Sequence, residues 1–333
     1  MKIAMIADLH FSSYSNDKVI SKSGLTERLD GLNNALYDVI SYCLNNLIYV
    51  ITILGDVFHN KNLIHATGQS VLLDIIRDSK NIDWIILDGN HDMSDLTGNG
   101  VPATKCLDNE SNVTTIHKTT MIENMLFVPW NPKNMIDDIK HGKSEYLMAH
   151  LGLNEGVLNS GISLVSDIGL KDLKQYKKAY FGHYHIPQEV GNVVYIGSST
   201  HLDWNDKNQE KRFVVFNSKT GEEKYIPTTG YKKYLEFNIT KDNKDEILSK
   251  VRDLKTGNNT IKLIKTDDLD LSEYKNDFEI IDKQEKDITH RGITSTMTRS
   301  DKLDRFLEIK EIPQDKRDKY KNIALEIMES SLS

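Results

Sequence analysis

Five short polar clusters hold most of the side chains in this sequence that could do chemistry: Asp8-Leu9-His10, Gly55-Asp56-Val57-Phe58-His59, Gly89-Asn90-His91-Asp92, Ala149-His150 and Gly182-His183-Tyr184-His185. Together they offer Asp8, His10, Asp56, Asn90, His150, His183 and His185: two carboxylates, four imidazoles and one carboxamide, with no thiolate. A mixed nitrogen and oxygen set disfavours structural zinc and copper(I) and suits a borderline divalent ion such as Mn2+ or Fe2+. Mg2+ prefers oxygen-only shells. The donors are too many for one ion but natural for two if a carboxylate bridges. Two ions ~3.5–4 Å apart can clamp the attacking and leaving oxygens of a phosphoryl displacement. Singly, each cluster says little, since Gly-Asp and Gly-Asn are everyday turn formers. The weight lies in the ordered set.

Each cluster follows an apolar run that reads as a strand: KIAMIA from Lys2, YVITIL from Tyr49, WIIL from Trp84, YLMA from Tyr146 and KKAYF from Lys177. VVYI from Val193 and FVVF from Phe213 continue the pattern. Between the first two runs, Leu36, Val39, Ile40, Cys43 and Leu44 recur at helical spacing; between the second and third, Val71, Leu72, Ile75 and Ile76 do the same. Strands separated by amphipathic helices predict an α/β fold with βαβ units and a sheet buried on both faces. Residues just past the carboxyl ends of such strands converge on one rim, where ligands bind. The later strands lie closer together in sequence, which predicts a more antiparallel second half.

Composition narrows the classes. The net charge over 333 residues is 42 − 49 = −7, which argues against nucleic-acid binding by bulk positive charge and leaves room only for a local basic track. Cys43 and Cys106 are too few for a disulfide framework, so free thiols in a reducing cytosol are expected. No apolar run approaches the ~20 residues that span a bilayer, and MKIAMIADLH does not read as a signal peptide. A soluble cytoplasmic protein without a membrane partner is expected. From Tyr231 onward 21 basic and 22 acidic residues fall in 103 positions, against 21 and 27 in the first 230, a shift that suggests a boundary. No G-x-x-x-x-G-K-[ST] is present, so no ATPase activity of its own is expected.

The order DxH, GDxxH, GNHD, H and GHxH resembles the calcineurin-like metallophosphoesterases. Within them it is most similar to the SbcD-type DNA double-strand-break repair nucleases, the nuclease partners of SMC-like ATPases; the length and tail also resemble recombination nuclease subunits of T-even-type phages. The Asp-Arg-Gly continuation usual in the superfamily's protein phosphatases is absent after Gly55. The resemblance implies a layered α/β/β/α sandwich over 1–229, a small α/β capping domain over the active-site rim at 230–295, and C-terminal helices at 296–333 that dock an SbcC-type coiled-coil ATPase. It implies a first metal on Asp8, His10, Asp56 and His185, and a second on Asp56 (bridging), Asn90, His150 and His183. The ions would be two Mn2+, with Mg2+ a weaker substitute. His91 matches a histidine that donates to the scissile phosphate or leaving oxygen, with Asp92 orienting its ring, and His59 matches one that positions the substrate backbone. His65, His141 and His201 match no ligand and read as ordinary surface or loop residues; Asp88 reads as structural. Gly197-Ser198-Ser199 resembles a turn whose amides could serve a phosphate. Trp204 and residues 205–211 read as a solvated hairpin loop.

The implied activity is Mn2+-dependent 3′-to-5′ exonuclease and single-strand endonuclease action on DNA duplex ends and single strands, by a homodimer. A dimetal phosphatase or phosphodiesterase on a non-DNA substrate is the alternative. The GDVFH form and a C-terminal extension of about a hundred residues favour the nuclease, and the acidic balance counts against it. A decayed, non-enzymatic module is disfavoured because every ligand position holds a competent donor. In the extension, YLEFNI, TIKLIK and DFEIID read as strands. A helix capped by Ser300 carries Leu303, Phe306 and Leu307 on one face and ends at Ile312-Pro313. Another begins near Asp315 and aligns Tyr320, Ile323, Ala324, Ile327 and Met328, a stripe fit for a helix-in-groove contact.

Overall fold

The computed structural model describes residues 1–12, 22–60, 63–158, 166–255, 259–283, 297–310 and 312–330. It divides into two compact units, Met1–Glu236 with Val251–Ile261, and Phe237–Lys250 with Lys262–Ser333.

The first unit begins β1 (Lys2–Ile6), α1 (Glu27–Asn45), β2 (Val50–Leu54), α2 (Ala66–Asp78), β3 (Asp83–Leu87) and β4 (Val113–Ile116). It continues β5 (Thr120–Ile122), β6 (Met125–Val128), α3 (Met135–His141), β7 (Tyr146–His150) and β8 (Lys178–Gly182), then β9 (Gln188–Val190), β10 (Val193–Tyr195), β11 (Arg212–Asn217) and β12 (Glu223–Pro227). Two six-stranded sheets result, in the orders β12-β11-β1-β2-β3-β4 and β5-β6-β7-β8-β10-β9. In the first, β1 to β4 run parallel and β11 and β12 add an antiparallel edge. In the second, β6, β7, β8 and β10 are parallel, with β5 and β9 antiparallel at the edges.

The antiparallel pairings of both sheets all involve later strands, β5, β9, β11 and β12, as the close spacing of the later runs predicts, while the centre of the second sheet is parallel. The crossover from β7 to β8 includes no long helix among its described residues. It covers the outer face with Leu151, Leu153, Ile168, Leu173 and Tyr176 instead, and so gave no helical periodicity to read.

The period of two along each strand builds the layers. Ala4 and Ile6 of β1 face a core shared with α1 and α2, while Ile3 and Met5 face a second core between the sheets. In β7, Tyr146 and Met148 join that middle core, while Leu147 and Ala149 enter a third under α3. A strand buried on both faces must be apolar throughout, which is why these runs do not alternate with polar residues. Each fully buried aliphatic or aromatic side chain contributes ~1.5–3 kcal/mol. The layering is α/β/β/α. Helix α1 starts where the Thr26 hydroxyl accepts the Leu29 amide (3.3 Å), and it lays Leu29, Leu32, Leu36, Val39, Ile40 and Cys43 on the first sheet.

The chain continues with β13 (Tyr234–Ile239), α4 (Lys244–Lys255), β14 (Thr260–Lys265) and β15 (Glu279–Asp282), followed by α5 (Arg299–Ile309) and α6 (Gln314–Ser330). The three strands form one sheet in chain order. The cap of α5 is Thr298, two residues before the expected Ser300: its hydroxyl accepts the Asp301 amide (3.1 Å), and Asp301 accepts the Thr298 amide in return (3.2 Å). Leu307 is buried and Leu303 half-buried, whereas Phe306, Tyr320 and Ile323 are exposed; the Ile327 and Met328 side chains lie outside the described residues. Among the described residues no helix is long and apolar enough to cross a membrane.

Candidate metal centre

The loops that leave β1 and β2 run side by side beyond their strands. Asp8 and His10 donate their amides to Gly55 O (3.1 Å) and Asp56 O (2.9 Å), and Phe11 to Val57 O (2.8 Å). Asp8, His10 and Asp56 on this path, and His183 just beyond β8, sit in the left-handed region, at φ of 53°, 50°, 54° and 91°. Non-glycine residues persist there only where the surroundings over-determine them, and such positions cluster at functional sites. Two motif glycines are required by close approach. A Cβ on Gly55, itself at φ 84°, would collide with the His150 ring, and one on Gly182 would collide with Leu54 O.

Seven side chains converge on this rim. Asp8, His10 and His185 form one group, and Asp56, His150 and His183 another, each with ligand-type atoms within 4.8 Å of one another. His10 Nε2 lies 3.2 Å from His185 Nε2 and 3.6 Å from Asp56 Oδ2. His150 Nε2 lies 3.3 Å from Asp56 Oδ1, so the two Asp56 oxygens face the two groups. Asn90 Oδ1 sits 3.1 Å from His150 Nε2 and 3.0 Å from His183 Nδ1. The His183 amide donates to both Asp8 oxygens (3.0 and 3.1 Å), tying the GHxH loop to the DxH loop. His150 Nδ1 donates to Leu54 O (2.8 Å), which leaves Nε2 to face the site.

The electrostatics suit cations. Burial alone would raise the Asp56 carboxyl, but His150, with His10 and His91, outweighs it and holds Asp56 far below the usual carboxylate range. Burial depresses His150 too, yet Asp56 overrides this and lifts it to about 9. Burial raises Asp8 against the pull of His150. His10 is pushed well below its ordinary value by burial despite Asp56, His183 falls to about 3 through burial and the charge of His150, and His185 is lowered by burial. The neutral imidazoles of His10, His183 and His185 beside the ionised Asp56 are the protonation states a divalent ion requires. His150, raised to about 9, would give up its Nε2 proton as an ion binds. The donor set fits the two ions read from sequence.

His59 and His91 flank the first group. His91 Nδ1 donates to His59 O (2.6 Å), its amide donates to Asp56 Oδ1 (2.8 Å), and its ring stacks on His59 at 5.6 Å. His59 Nδ1 lies 3.3 Å from His10 Nδ1; burial and the nearby Arg28 charge lower His59 to about 4. The expectation that Asp92 orients the His91 ring is corrected. Its carboxylate is fully buried and accepts the amides of Val57 (3.2 Å), Phe58 (2.8 Å) and Gly89 (2.8 Å), so it laces two motif loops together from below. The His59 carbonyl holds the His91 ring instead.

Other expectations also change. Ser198 and Ser199 are buried, and the Ser198 amide donates to His185 O (3.1 Å) rather than standing open to a phosphate. Residues 205–211 are not merely a solvated loop: Asp206 and Lys211 form a fully buried pair at 2.7 Å, and Lys211 Nζ also reaches His185 O (2.8 Å). Trp204 packs against Tyr234 at 5.0 Å. His201 is buried, with Nε2 donating to Gln209 O (2.8 Å) and Nδ1 accepting the Tyr234 amide (2.9 Å). His65 precedes α2, with Nε2 3.2 Å from Asn60, and His141 is exposed with Nδ1 bonded to Asp137 O, so both are ordinary residues. Asp88 is structural, held by Thr104 and by His117 (2.8 Å). Sequence reasoning missed Arg28, whose Nη2 donates to His10 O (3.0 Å). One signal was available: Arg28 stands in the first turn of α1, where the helix dipole disfavours a cation.

Residues 1–187 match the model of the calcineurin-like phosphoesterase family, more than half of the chain. The chain belongs to that family. It is 27% identical over 242 residues to Exonuclease subunit 1 of Enterobacteria phage T4, covering 68% of each protein. Similar solved structures include a dimetal phosphatase from Danio rerio (11% identity, 68% of this chain and 99% of that one, TM-score 0.43). A Pseudomonas putida nuclease, MPE, matches at 12% identity over 64% of this chain and 84% of its own, with TM-score 0.31. An archaeal phosphodiesterase matches at 15% identity over 68% and 99%, with TM-score 0.35. Family membership carries with it a dimetal site, and the Asp and His groups described above are the candidates to form it.

Proposed function

We propose that this chain is a Mn2+-dependent DNA nuclease that hydrolyses phosphodiesters at duplex ends and in single strands, working as a homodimer with a coiled-coil ATPase in double-strand-break repair. The observation that carries the reading is a single carboxylate, Asp56, presenting one oxygen to each of two donor groups. Asp8, His10 and His185 with Asp56 would hold one ion, and Asn90, His150 and His183 with Asp56 the other. When bound, the pair supplies Lewis-acid activation of water and neutralises charge on the phosphodiester. His91 keeps its Nδ1–H on His59 O, and in the imidazolium form its Nε2–H would be the proton given to the leaving oxygen. His59, stacked beside it, positions the substrate backbone.

DNA as substrate is supported by the similarity to a phage exonuclease subunit and by the GDVFH motif. Recruitment of an ATPase is supported by the exposed Phe306, Tyr320 and Ile323 on α5 and α6. The net charge of −7 favours a second reading, a phosphodiesterase acting on a small molecule. Comparing kcat/KM on end-labelled linear duplex with that on a chromogenic phosphodiester, both in Mn2+, separates the two. The nuclease reading expects a clear preference for the duplex. Turnover of the chromogenic diester with an inert duplex would replace it by the second.

A further inference from the structure

Both imidazoles of the Asp8 group have their main-chain carbonyls gripped by a cationic side chain. His10 O accepts Arg28 Nη2 (3.0 Å) alongside the Ser12 hydroxyl (3.3 Å). His185 O accepts Lys211 Nζ (2.8 Å) alongside the Ser198 amide (3.1 Å). The imidazoles of the other group are held differently, His150 through its ring to Leu54 O and His183 through its amide to Asp8.

We propose that Arg28 and Lys211 are positioning residues for one of the two cations, each setting a ligand histidine from behind through its carbonyl. The inference rests on the dimetal reading and deepens it.

Lys211 is unusual in being wholly buried and wholly satisfied. Its ammonium has three protons, and three acceptors meet them: His185 O (2.8 Å), Asp206 Oδ1 (2.7 Å) and Gln209 Oε1 (2.8 Å). Asp206 neutralises the charge and is itself fixed by the Leu202 amide (2.7 Å). A buried ion pair is weak evidence for stability, since a well-packed apolar pair does as well or better. What this one adds is a rigid donor aimed at the residue that carries a ligand. On the other side, His10 occupies a left-handed backbone conformation at φ 50°, which persists only while its surroundings hold it. Arg28 is one of those holds. The two rings meet Nε2 to Nε2 at 3.2 Å, so a small rotation of either carbonyl would carry a ring out of the set.

The test is Mn2+ titration of the metal-free full-length chain, followed by electron paramagnetic resonance of the free ion. Wild type is compared with Arg28→Met, Arg28→Lys and the double variant Asp206→Asn/Lys211→Met, which removes both charges together so that none is left orphaned. Groups behind a metal ligand typically contribute ~10–100-fold in affinity. Arg28→Met and the double variant should each weaken one Mn2+ site by that order and leave the other unchanged, and Arg28→Lys should restore most of the loss. Wild-type affinity at both sites in folded Arg28→Met and double variants, or equal weakening of both sites, overturns the proposal. Should the double variant fail to fold, Arg28→Met at its half-buried side chain decides alone. A wild type that binds fewer than two Mn2+ refutes the dimetal reading itself, a result separable from the others.

Discussion

The metal-site rim and the terminal helix pair break different rules. At the rim, local preferences fail: four non-glycine residues sit at positive φ, and the carboxylates of Asp8, Asp56 and Asp92 are buried. In α5 and α6 the local rules are obeyed, with a reciprocal cap at Thr298 and Asp301, an Arg305–Glu308 pair at 2.7 Å and a Lys321–Asp304 pair joining the helices. What fails there is burial, since Phe306, Tyr320 and Ile323 stay exposed. On the function proposed above, the strain would belong to a place that holds small ions in fixed geometry, and the exposed apolar side chains to a place that takes a large partner.

The largest effect expected from this contrast lies at Asp56. His91→Ala removes a positioned proton donor and should cost ~10²–10⁴-fold in cleavage while both ions stay bound. Asp56→Asn should cost more than that, because one carboxylate serves both donor groups. Steady-state cleavage together with bound-metal analysis distinguishes them, and a His91→Ala protein that lost metal would place His91 among the ligands. Next comes Asp92, the knot beneath the rim. Asp92→Ala orphans the amides of Val57, Phe58 and Gly89, each worth ~1–3 kcal/mol when left unsatisfied in the interior. Urea unfolding should show a loss of that order; an unchanged midpoint would contradict the lacing role.

A smaller effect is expected at His117, whose ring bridges Asp88 (2.8 Å) and Asp108 (3.0 Å). The Asp88 hydrogen bond, outweighing burial, raises its pKa above the ordinary 6.5. A raised folded-state value means the bridge stabilises fully below 6.5 and fades as pH climbs through the raised value. The stability gap between wild type and His117→Gln should therefore shrink as pH rises from about 6 to about 9. A gap constant across that window would remove the charge from the account. Smallest of all in stability is Phe306→Ser at a 42% exposed site, expected to move the folded chain by no more than about 0.5 kcal/mol. It should leave cleavage intact and weaken co-purification with the ATPase, and retention of full ATPase binding would end the docking role.

The rim was legible in the sequence because seven donors each followed an apolar run, and topology brings strand ends to one edge. The layering was less so. A run such as KIAMI is apolar on both faces, so its residues do not tell which core each will enter. The short edge strands β5 and β9 have too few residues to show a period. Asp92 was misassigned because adjacency in sequence to His91 suggested a contact, whereas the chain turns Asp92 inward to the amides of two loops. Lys211 was hidden for a related reason: a charged residue among Asp206, Asn208 and Glu210 looks solvated until the fold buries it.

The most direct test of the central claim is cleavage of end-labelled linear duplex as a function of Mn2+ bound per chain, starting from metal-free protein in EDTA. Cleavage should be absent at the start and should rise only as the second equivalent fills the site. Full-rate cleavage with a single ion or with none, or an intact duplex with two ions bound, would contradict it.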